Sequence, residues 1–323
     1  MLSKVLFIFV RNYHAMDIWK IIISKKSGNG KAFAQWPEVK DALVEKGLQF
    51  SESFTEYVGH AMELAREAIR GGFRKILAVG GDGTIHEVLN GVMTQEDVPT
   101  SEITLAIVPV GSGNDWARLY DIPKESSAAV DLLLGGRIRL QDVVRVESVL
   151  DGEPSVRYMM NIGGLGIDAH VCYLFELEKQ KGKKGDIQYF KCLVKGFAKY
   201  RCPLFKIYVD DELFFEGDAL SVALGNGKYC GGGMRQTPDA LPDDGLIDLT
   251  VVEKIPKWKF AACAKHLFDG TIKNLAPVKS VQGRKIQIYA SPASFVEVDG
   301  ELVGNSPVKA TIVPAAVKVI ANR

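Results

Sequence analysis

The chain has 323 residues, 47% hydrophobic and 24% charged, and 40 Lys and Arg against 39 Asp and Glu leave a formal net charge of +1. Such a chain can fill a core and fits two domains, but it lacks the basic excess that would point to nucleic acid and any global field that would steer anions. Its five cysteines (Cys172, Cys192, Cys202, Cys230, Cys263) are scattered without a Cys-x-x-Cys pair, which points to a reducing, cytoplasmic compartment and argues against a zinc site.

At the start of the chain, Val5 to Val10 is apolar, but it is short for a signal h-region and far too short to span a bilayer. Arg11, Asn12 and His14 follow, and no small-residue cleavage site is evident. Met16 then opens a better strand centred on Ile21–Ile23, so residues 1–15 are expected to be an appendage, with residues 16–140 forming an α/β domain.

From Ile18 onward, strand and helix alternate. Ile18 to Ile23 predicts a strand, and Pro37 to Lys46 a helix with its proline near the first turn and Gly47 past its end. Leu48 to Phe54 predicts a strand. Thr55 is expected to N-cap a helix carrying Val58, Ala61, Ala65, Ala68 and Ile69, ended by Gly71-Gly72. Lys75 to Val79 and Thr104 to Pro109 predict further strands, and a short helix follows the second through Leu119. This βαβα order implies a mainly parallel sheet covered by helices, with ligands outside the carboxyl ends of its strands.

Near residue 140 the texture changes. Val143–Leu150, Val156–Asn161, Phe205–Val209, Leu213–Phe215, Leu220–Leu224, Ile247–Val252, Lys285–Ala290 and Phe295–Val298 are short β-rich segments with Asp-Gly and Gly-Asn turns between them. They predict an antiparallel sandwich or barrel over residues 141–308. One helix interrupts it: Asp186 is expected to cap a run with Ile187, Phe190, Leu193, Val194 and Phe197 on one face and Lys191, Lys195 and Lys199 on another.

The most informative stretch is Val79-Gly80-Gly81-Asp82-Gly83-Thr84-Ile85-His86-Glu87. It reads as a strand, a glycine turn and a helix start. Glycines let the backbone approach an anion, and a helix N-terminus attracts phosphate. A carboxylate among phosphate-binding groups repels phosphate unless a cation bridges them, so Asp82 points to Mg²⁺. Two more glycine turns follow strands, Ser27-Gly28-Asn29-Gly30-Lys31 and Gly111-Ser112-Gly113-Asn114-Asp115, and three such turns at neighbouring strand ends would converge on one crevice. None matches the G-x-x-x-x-G-K-[ST] phosphate loop. Gly164 to Ala169 fits the looser G-x-G-x-x-A dinucleotide pattern, but without a following βαβ unit. His86-Glu87 fails as a zinc-protease helix because position 90 is Asn90. In the second half, Gly231–Met234 precedes Pro238–Leu246, where adjacent acids in a turn suit either a hard cation or a solvated hairpin.

Taken together, these motifs resemble the bacterial lipid kinases with a diacylglycerol kinase catalytic domain, to which sphingosine and ceramide kinases are more distantly related. The resemblance runs from about residue 18 to the end. It rests on Ser27-Gly28 with Lys31-Ala32, Thr55 with Gly59-His60-Ala61, Gly80 to Glu87, Pro109 to Asp115, Asn161 through Asp168-Ala169, Gly231 to Leu246, and Asp299-Gly300-Glu301. It implies a three-layer α/β N-terminal domain with a parallel sheet, of the phosphofructokinase and NAD-kinase kind. A mainly antiparallel β-sandwich second domain would follow, with a nucleotide cleft between the two and the last segment returning to the first domain from about residue 309.

The resemblance further implies ATP contacts at Ser27, Gly28, Thr55, Gly81, Asp82, Gly83, Thr84, Ile85, His86, Glu87 and Ser112. Ser24 and Lys25 stand where the family usually has Asn-Pro; they join this nucleotide set, Lys25 either as a cation near phosphate or as a solvated lysine. Glu301 is implied as proton acceptor for the lipid hydroxyl, beside Asp82 as the catalytic metal-holding carboxylate. A structural Mg²⁺ is implied near Leu241, Asp244 and Leu246, with the leucines contributing backbone oxygens.

The expected activity is transfer of the γ-phosphoryl of ATP to a lipid such as diacylglycerol. The alternatives are a soluble-substrate kinase of the NAD kinase type, which shares the Gly-Gly-Asp-Gly turn, and a non-catalytic nucleotide-binding regulator. The lipid would be met by transient, peripheral docking at the inner face of a membrane, and a homodimer is compatible with the sequence. Lys179, Lys181, Lys183 and Lys184 form a basic loop that could touch anionic lipid, the alternative being a solvated loop and a helix packed on the β domain.

Overall fold

The structure, a computed structural model, describes residues 17–182, 186–256 and 265–322. The apolar run at residues 5–10, Lys183, Lys184 and Cys263 lie outside the described residues, as do the side chains of Ile187, Phe190, Leu193 and Lys199. The chain divides into two compact units. One holds the described residues up to Gln141 and those from Ala315 onward, and the other is Asp142–Pro314.

The first unit is built on β1 (Trp19–Ile23), β2 (Phe50–Phe54), β3 (Lys75–Gly80), β4 (Thr104–Pro109) and the end of β14 (Glu301–Ala321). All pair in parallel, in the spatial order β2-β1-β3-β4-β14. The inner strands β1, β3 and β4 are largely apolar because helices cover them: Ile21, Ile22, Ile23 and Ile76 to Val79 are fully buried, whereas the edge strand β2 is half-buried. The covering helices are α1 (Lys31–Glu45), α2 (His60–Arg70), α3 (Asp82–Met93), α4 (Asp115–Leu119) and α5 (Ser126–Gly135).

Two helix starts differ from the sequence expectation. Helix α1 begins at Lys31, and Pro37 lies inside it on the exposed side. Ala32 and Trp36 continue the buried stripe of Val39 and Leu43, so packing overrides the proline, and water can take the carbonyl bond it leaves. Helix α2 begins at His60 after left-handed Gly59; Thr55 does not cap it. The α5 helix was not anticipated. Glu125 caps it, accepting from the amides of Ser127 and Ala128 at 2.9 and 2.7 Å.

The second unit contains most of β5 (Arg137–Leu150), β6 (Glu153–Met159), β7 (Ile162–Gly166), α6 (Ile167–Gln180), α7 (Asp186–Lys199), β8 (Leu204–Val209), β9 (Glu212–Gly225), β10 (Ile247–Glu253), β11 (Val278–Gly283), β12 (Lys285–Ser291), β13 (Phe295–Val298) and the start of β14. Its ladders are antiparallel. The two layers share long strands. β9 pairs β8 with its first half and β7 with its second, while β14 pairs β13 and then β12. Phe205, Ile207, Val222, Leu224, Leu249, Ile286, Ile288, Val296 and Val298 fill the space between them.

Here too the sequence reading needs corrections. Leu213–Phe215 and Leu220–Leu224 belong to one strand, β9. Helix α6 was missed, although Ile167, Val171, Leu174 and Phe175 pack as its inner face. Lys179 lies in α6 rather than in a loop and pairs with Glu176 at 3.1 Å, and Lys181 pairs with Glu178 at 3.0 Å. In α7, Cys192 is buried, whereas Val194, expected on the apolar face, is 55% exposed. Residues 309–311 still pair with Lys285–Gln287, so the return to the first unit comes at Ala315 rather than at 309. No helix among the described residues is long and apolar enough to cross a membrane.

Candidate functional site

In the first unit, strand order reverses between β1 and β3. Open α/β sheets bind ligands outside the strand ends at such a reversal. The turn after β1 and the turn after β3 flank it, and the turn after β4 lies alongside.

The first turn is tight because Gly28, Asn29 and Gly30 adopt φ of 59°, 58° and 88°, which favours glycine and asparagine. Ser24 Oγ accepts from the Ser27 amide at 3.1 Å, and Thr55 Oγ1, at the end of β2, accepts from the Lys25 amide at 3.3 Å. The Lys25 ammonium sits 5.9 Å from the Phe54 ring centre, on an exposed residue.

The second turn locks onto the first. Ser27 Oγ and Thr84 Oγ1 share a hydrogen bond of 2.9 Å, and the Gly81 amide points to Ser27 Oγ at 3.4 Å. A Cβ at Gly80 would come within 2.3 Å of Thr84 Oγ1, so only glycine fits there. The third turn lies back to back with the second: a Cβ on Gly111 would approach Gly81 Cα to 2.7 Å. Asn114 Nδ2 donates to the Gly111 carbonyl at 2.9 Å, and the Trp116 amide donates to Asp82 Oδ1 at 3.1 Å. Asp82 and Asp115 bracket Gly113, where an added Cβ would meet their carboxylate oxygens at 3.0 and 3.2 Å.

The structure thus brings together Ser24, Lys25, Ser27, Gly28, Thr55, Gly81, Asp82 and Thr84, while Ser112 stands exposed on the third turn. The amides of Thr84 and Ile85 both turn back onto the Gly81 carbonyl, at 3.0 and 3.3 Å. Gly83 lies in the first turn of α3, where helix amides favour an anion.

Three of the expected nucleotide residues have side chains engaged within the protein. Ile85 and His86 are buried, and Asn90 Nδ2 donates to the His86 carbonyl at 3.0 Å. Glu87 Oε1 and Oε2 accept from the amides of Gly59 and Ala61 at 2.8 and 3.1 Å, which caps α2. A carboxylate at a helix N-terminus is favoured by the dipole and fills its orphan donors, so Glu87 positions α2 and the segment after Thr55.

In the second unit, Asp299 and Gly300 form a two-residue hairpin with φ of 51° and 86°, the left-handed pair of a type I′ turn. Val298 faces Glu301 across it, and Glu301 is exposed as the first residue of β14. The Asp299 carboxylate accepts from the amides of Met160 and Asn161 at 3.1 and 2.9 Å, and its own amide donates to the Ile162 carbonyl at 2.8 Å. Beside the hairpin lie Glu297, buried on the α6 side of β13, and the half-buried Asp168. Burial pushes both carboxyls above their ordinary range. The Ser221 hydroxyl donates to Asp168.

The expected metal loop is also in the second unit. Asp244 Oδ1 accepts from the Leu246 amide at 3.0 Å, and Asp142 Oδ2 accepts from the Gly245 amide at 2.6 Å. Burial raises the Asp244 carboxyl above its ordinary range, and the charges of Asp142 and Asp243 act in the same direction. Leu241 is 47% exposed.

A family model described as the diacylglycerol kinase catalytic domain matches residues 19–146, and one described as the YegS C-terminal NAD kinase beta sandwich-like domain matches residues 162–321. The chain belongs to the bacterial lipid kinases with a diacylglycerol kinase catalytic domain. Within that family it is 28% identical over 291 residues to a protein from Staphylococcus saprophyticus named diacylglycerol kinase, covering 89% of this chain and 90% of that one. It is 28% identical over 308 residues to a Stenotrophomonas maltophilia protein named probable lipid kinase YegS-like, covering 93% and 95%. A solved Bacillus anthracis structure titled as a diacylglycerol kinase superposes with a TM-score of 0.71 at 22% identity, over 95% of this chain and 97% of that one, and so shares the fold. The family's domain pair accounts for the α/β unit followed by the β-rich unit.

Sequence reasoning missed Asn114, Trp116, Glu297 and the capping role of Glu87. Asn114 stands out in the sequence only as one residue of the Pro109–Asp115 motif. Nothing in local spacing signals Trp116 or the capping by Glu87, because each acts through a partner distant in the chain, and Glu297 reads as one more residue of the strand Phe295–Val298.

Proposed function

We propose that the protein is an ATP-dependent lipid kinase that transfers the γ-phosphoryl group of ATP to the hydroxyl of a lipid, diacylglycerol being the preferred candidate. The observation that carries this reading is the locking of the three glycine turns around Ser27, Thr84 and Gly81–Gly111. Such a cradle suits a polyphosphate, which needs close backbone approach and oriented donors. Family membership supplies the chemical class: a kinase, with ATP as the phosphoryl donor.

Phosphoryl transfer is mostly positioning and charge neutralisation. In this reading Gly83, Ser27 and Thr84 orient the phosphates, and Lys25 and Ser112 lie at the rim. Glu301 takes the proton of the acceptor hydroxyl, a role worth about 10²–10⁴-fold in rate.

The residues present fit magnesium. Asp82 and Asp115 bracket Gly113, and magnesium is commonly held by one or two carboxylates together with phosphates and water. Asp82 would hold the nucleotide's metal. Asp244, with the carbonyls of Leu241 and Leu246, would hold a structural one, and the negative surroundings of Asp244 would be relieved by a cation. Magnesium, when bound, neutralises phosphate charge and fixes the geometry of the transferring group. Contact with the membrane is transient and peripheral in this reading. Lys179 and Lys181 contribute little net charge to it, because both are paired with glutamates.

An acceptor screen tests the reading. The full chain, Mg²⁺ and labelled ATP are incubated with diacylglycerol, a sphingoid base, phosphatidylglycerol, NAD and a sugar phosphate. The expected result is label on diacylglycerol, lost in Glu301→Gln with ATP binding retained. Label on NAD would favour the soluble-substrate reading, and ATP binding with no acceptor labelled would favour a regulator.

A further inference from the structure

The hairpin that carries Glu301 is held from two directions. Asp299 is bound to the amides of Met160 and Asn161. Gly300 is bound by a different group: its amide donates to Glu297 Oε2 at 2.8 Å. Glu297 lies on β13, whose neighbouring residues Val296 and Val298 point into the sandwich core. The ladder to β14 shifts register between Val296 and Glu297, a bulge that re-aims a side chain. Glu297 is 7% exposed, on the face where Phe295 stacks on Tyr173 of α6 with ring centres 4.2 Å apart.

We propose that Glu297 is the positioning residue of Glu301: from beneath α6 it holds the Gly300 amide, and so fixes the turn from which the proton-accepting carboxylate projects. The proposal rests on the reading of Glu301 given above. A buried carboxyl with an ordinary structural alternative is costly, and an apolar residue would complete the β13 alternation without that cost. Burial raises the Glu297 carboxyl well above its ordinary range, and the charges of Asp168, Asp299 and Glu301 push in the same direction. The Cys172 thiol of α6, itself raised by burial, also faces it. Charged or uncharged, a Glu297 oxygen accepts the Gly300 N–H, so its hold on the turn rests on that bond.

The test uses the full chain, Mg-ATP and 1,2-dioleoylglycerol in mixed micelles, with ATP affinity measured separately by equilibrium binding. Glu297→Leu is expected to lower kcat by about ten- to a hundredfold, the scale of a small misplacement of a reacting group, with the KM and Kd for ATP unchanged. Glu297→Gln offers an uncharged oxygen to the same amide and is expected to recover most of the lost turnover. Should Glu297→Leu fail to fold, Glu297→Asp, one methylene short of Gly300, replaces it with the same expected loss. Full turnover in the Leu or Asp variant, or equal impairment in Gln and Leu, overturns the proposal. Turnover retained in Glu301→Gln removes the reading beneath it and the proposal as well. Loss in Glu301→Gln beside full turnover in Glu297→Leu removes the positioning role alone.

Discussion

The hydroxyls of Ser27 and Thr84 lie 2.9 Å apart and join the turn after β1 to the turn after β3 across the point where strand order reverses. Each residue follows its own strand, so the bond makes one rigid cradle out of two separate loops. Ser27→Ala and Thr84→Val are each expected to cost about 0.5–1.5 kcal/mol of stability. Because the two share one bond, the double variant should cost less than their sum. Urea denaturation of the four proteins measures the coupling, and strict additivity would show that the bond does not form in solution.

The back-to-back glycines make a sharper prediction. A Cβ on Gly111 would sit 2.7 Å from both Gly81 Cα and Asn114 Oδ1, whereas one on Gly81 would meet Gly111 Cα at 3.2 Å. Gly111→Ala should therefore destabilise by about 1–3 kcal/mol, as overpacking does, and Gly81→Ala by less. ATP affinity should fall in the same order. Thermal melts with and without ATP read both effects.

Glu87 gives a prediction that separates capping from nucleotide contact. Both of its oxygens are taken by the amides of Gly59 and Ala61. Glu87→Ala should cost about 0.5–2 kcal/mol, the loss of an N-cap, and should raise hydrogen exchange at the first turn of α2. Faster exchange confined to α3, with α2 unchanged, would contradict the capping role.

Asp299 anchors its hairpin through two amides that are otherwise buried donors. Removing both acceptors in Asp299→Ala is expected to cost about 1–3 kcal/mol for each orphaned group and to lower turnover with it. Asp299→Asn keeps one acceptor oxygen and should lose roughly half as much. Chemical denaturation of both variants checks the ranking.

The buried carboxyl of Glu297 predicts a pH dependence with a definite sign. Its folded pKa is raised above that of the unfolded chain by burial. The folded state therefore binds the extra proton, and the stability this group contributes is complete below about pH 4.3. It is lost as pH rises toward the folded value, at about 1.4 kcal/mol per pH unit. Asp168 acts in the same direction. Glu297→Gln removes the titration, so the Tm of the variant minus that of the parent should increase with pH from 4.5 to 7. A constant difference across that range would show that the carboxyl ionises normally.

Much of the fold was legible because local spacing reports it directly. The apolar runs at Ile21–Ile23, Ile76–Val79 and Thr104–Pro109 appear as β1, β3 and β4, and the glycine turns after them mark the candidate site. The Asp-Gly hairpin before Glu301 was equally plain, since left-handed residues at both central positions favour that pair. Helix α6 was not, because it begins inside a glycine-rich pattern that reads as a turn. The start of α1 was misplaced because a proline is a strong local signal, and only the burial of Ala32 and Trp36 outweighs it.

Periodicity and turn chemistry, which depend on neighbours in the chain, determined the strands, the three cradle turns and the two-part organisation. Tertiary structure alone decided which oxygen takes which amide. Glu87 reaches Gly59 and Asp299 reaches Asn161, residues 28 and 138 positions away. A carboxylate meets a distant amide only when packed elements bring them within hydrogen-bond reach, and no local pattern encodes that meeting.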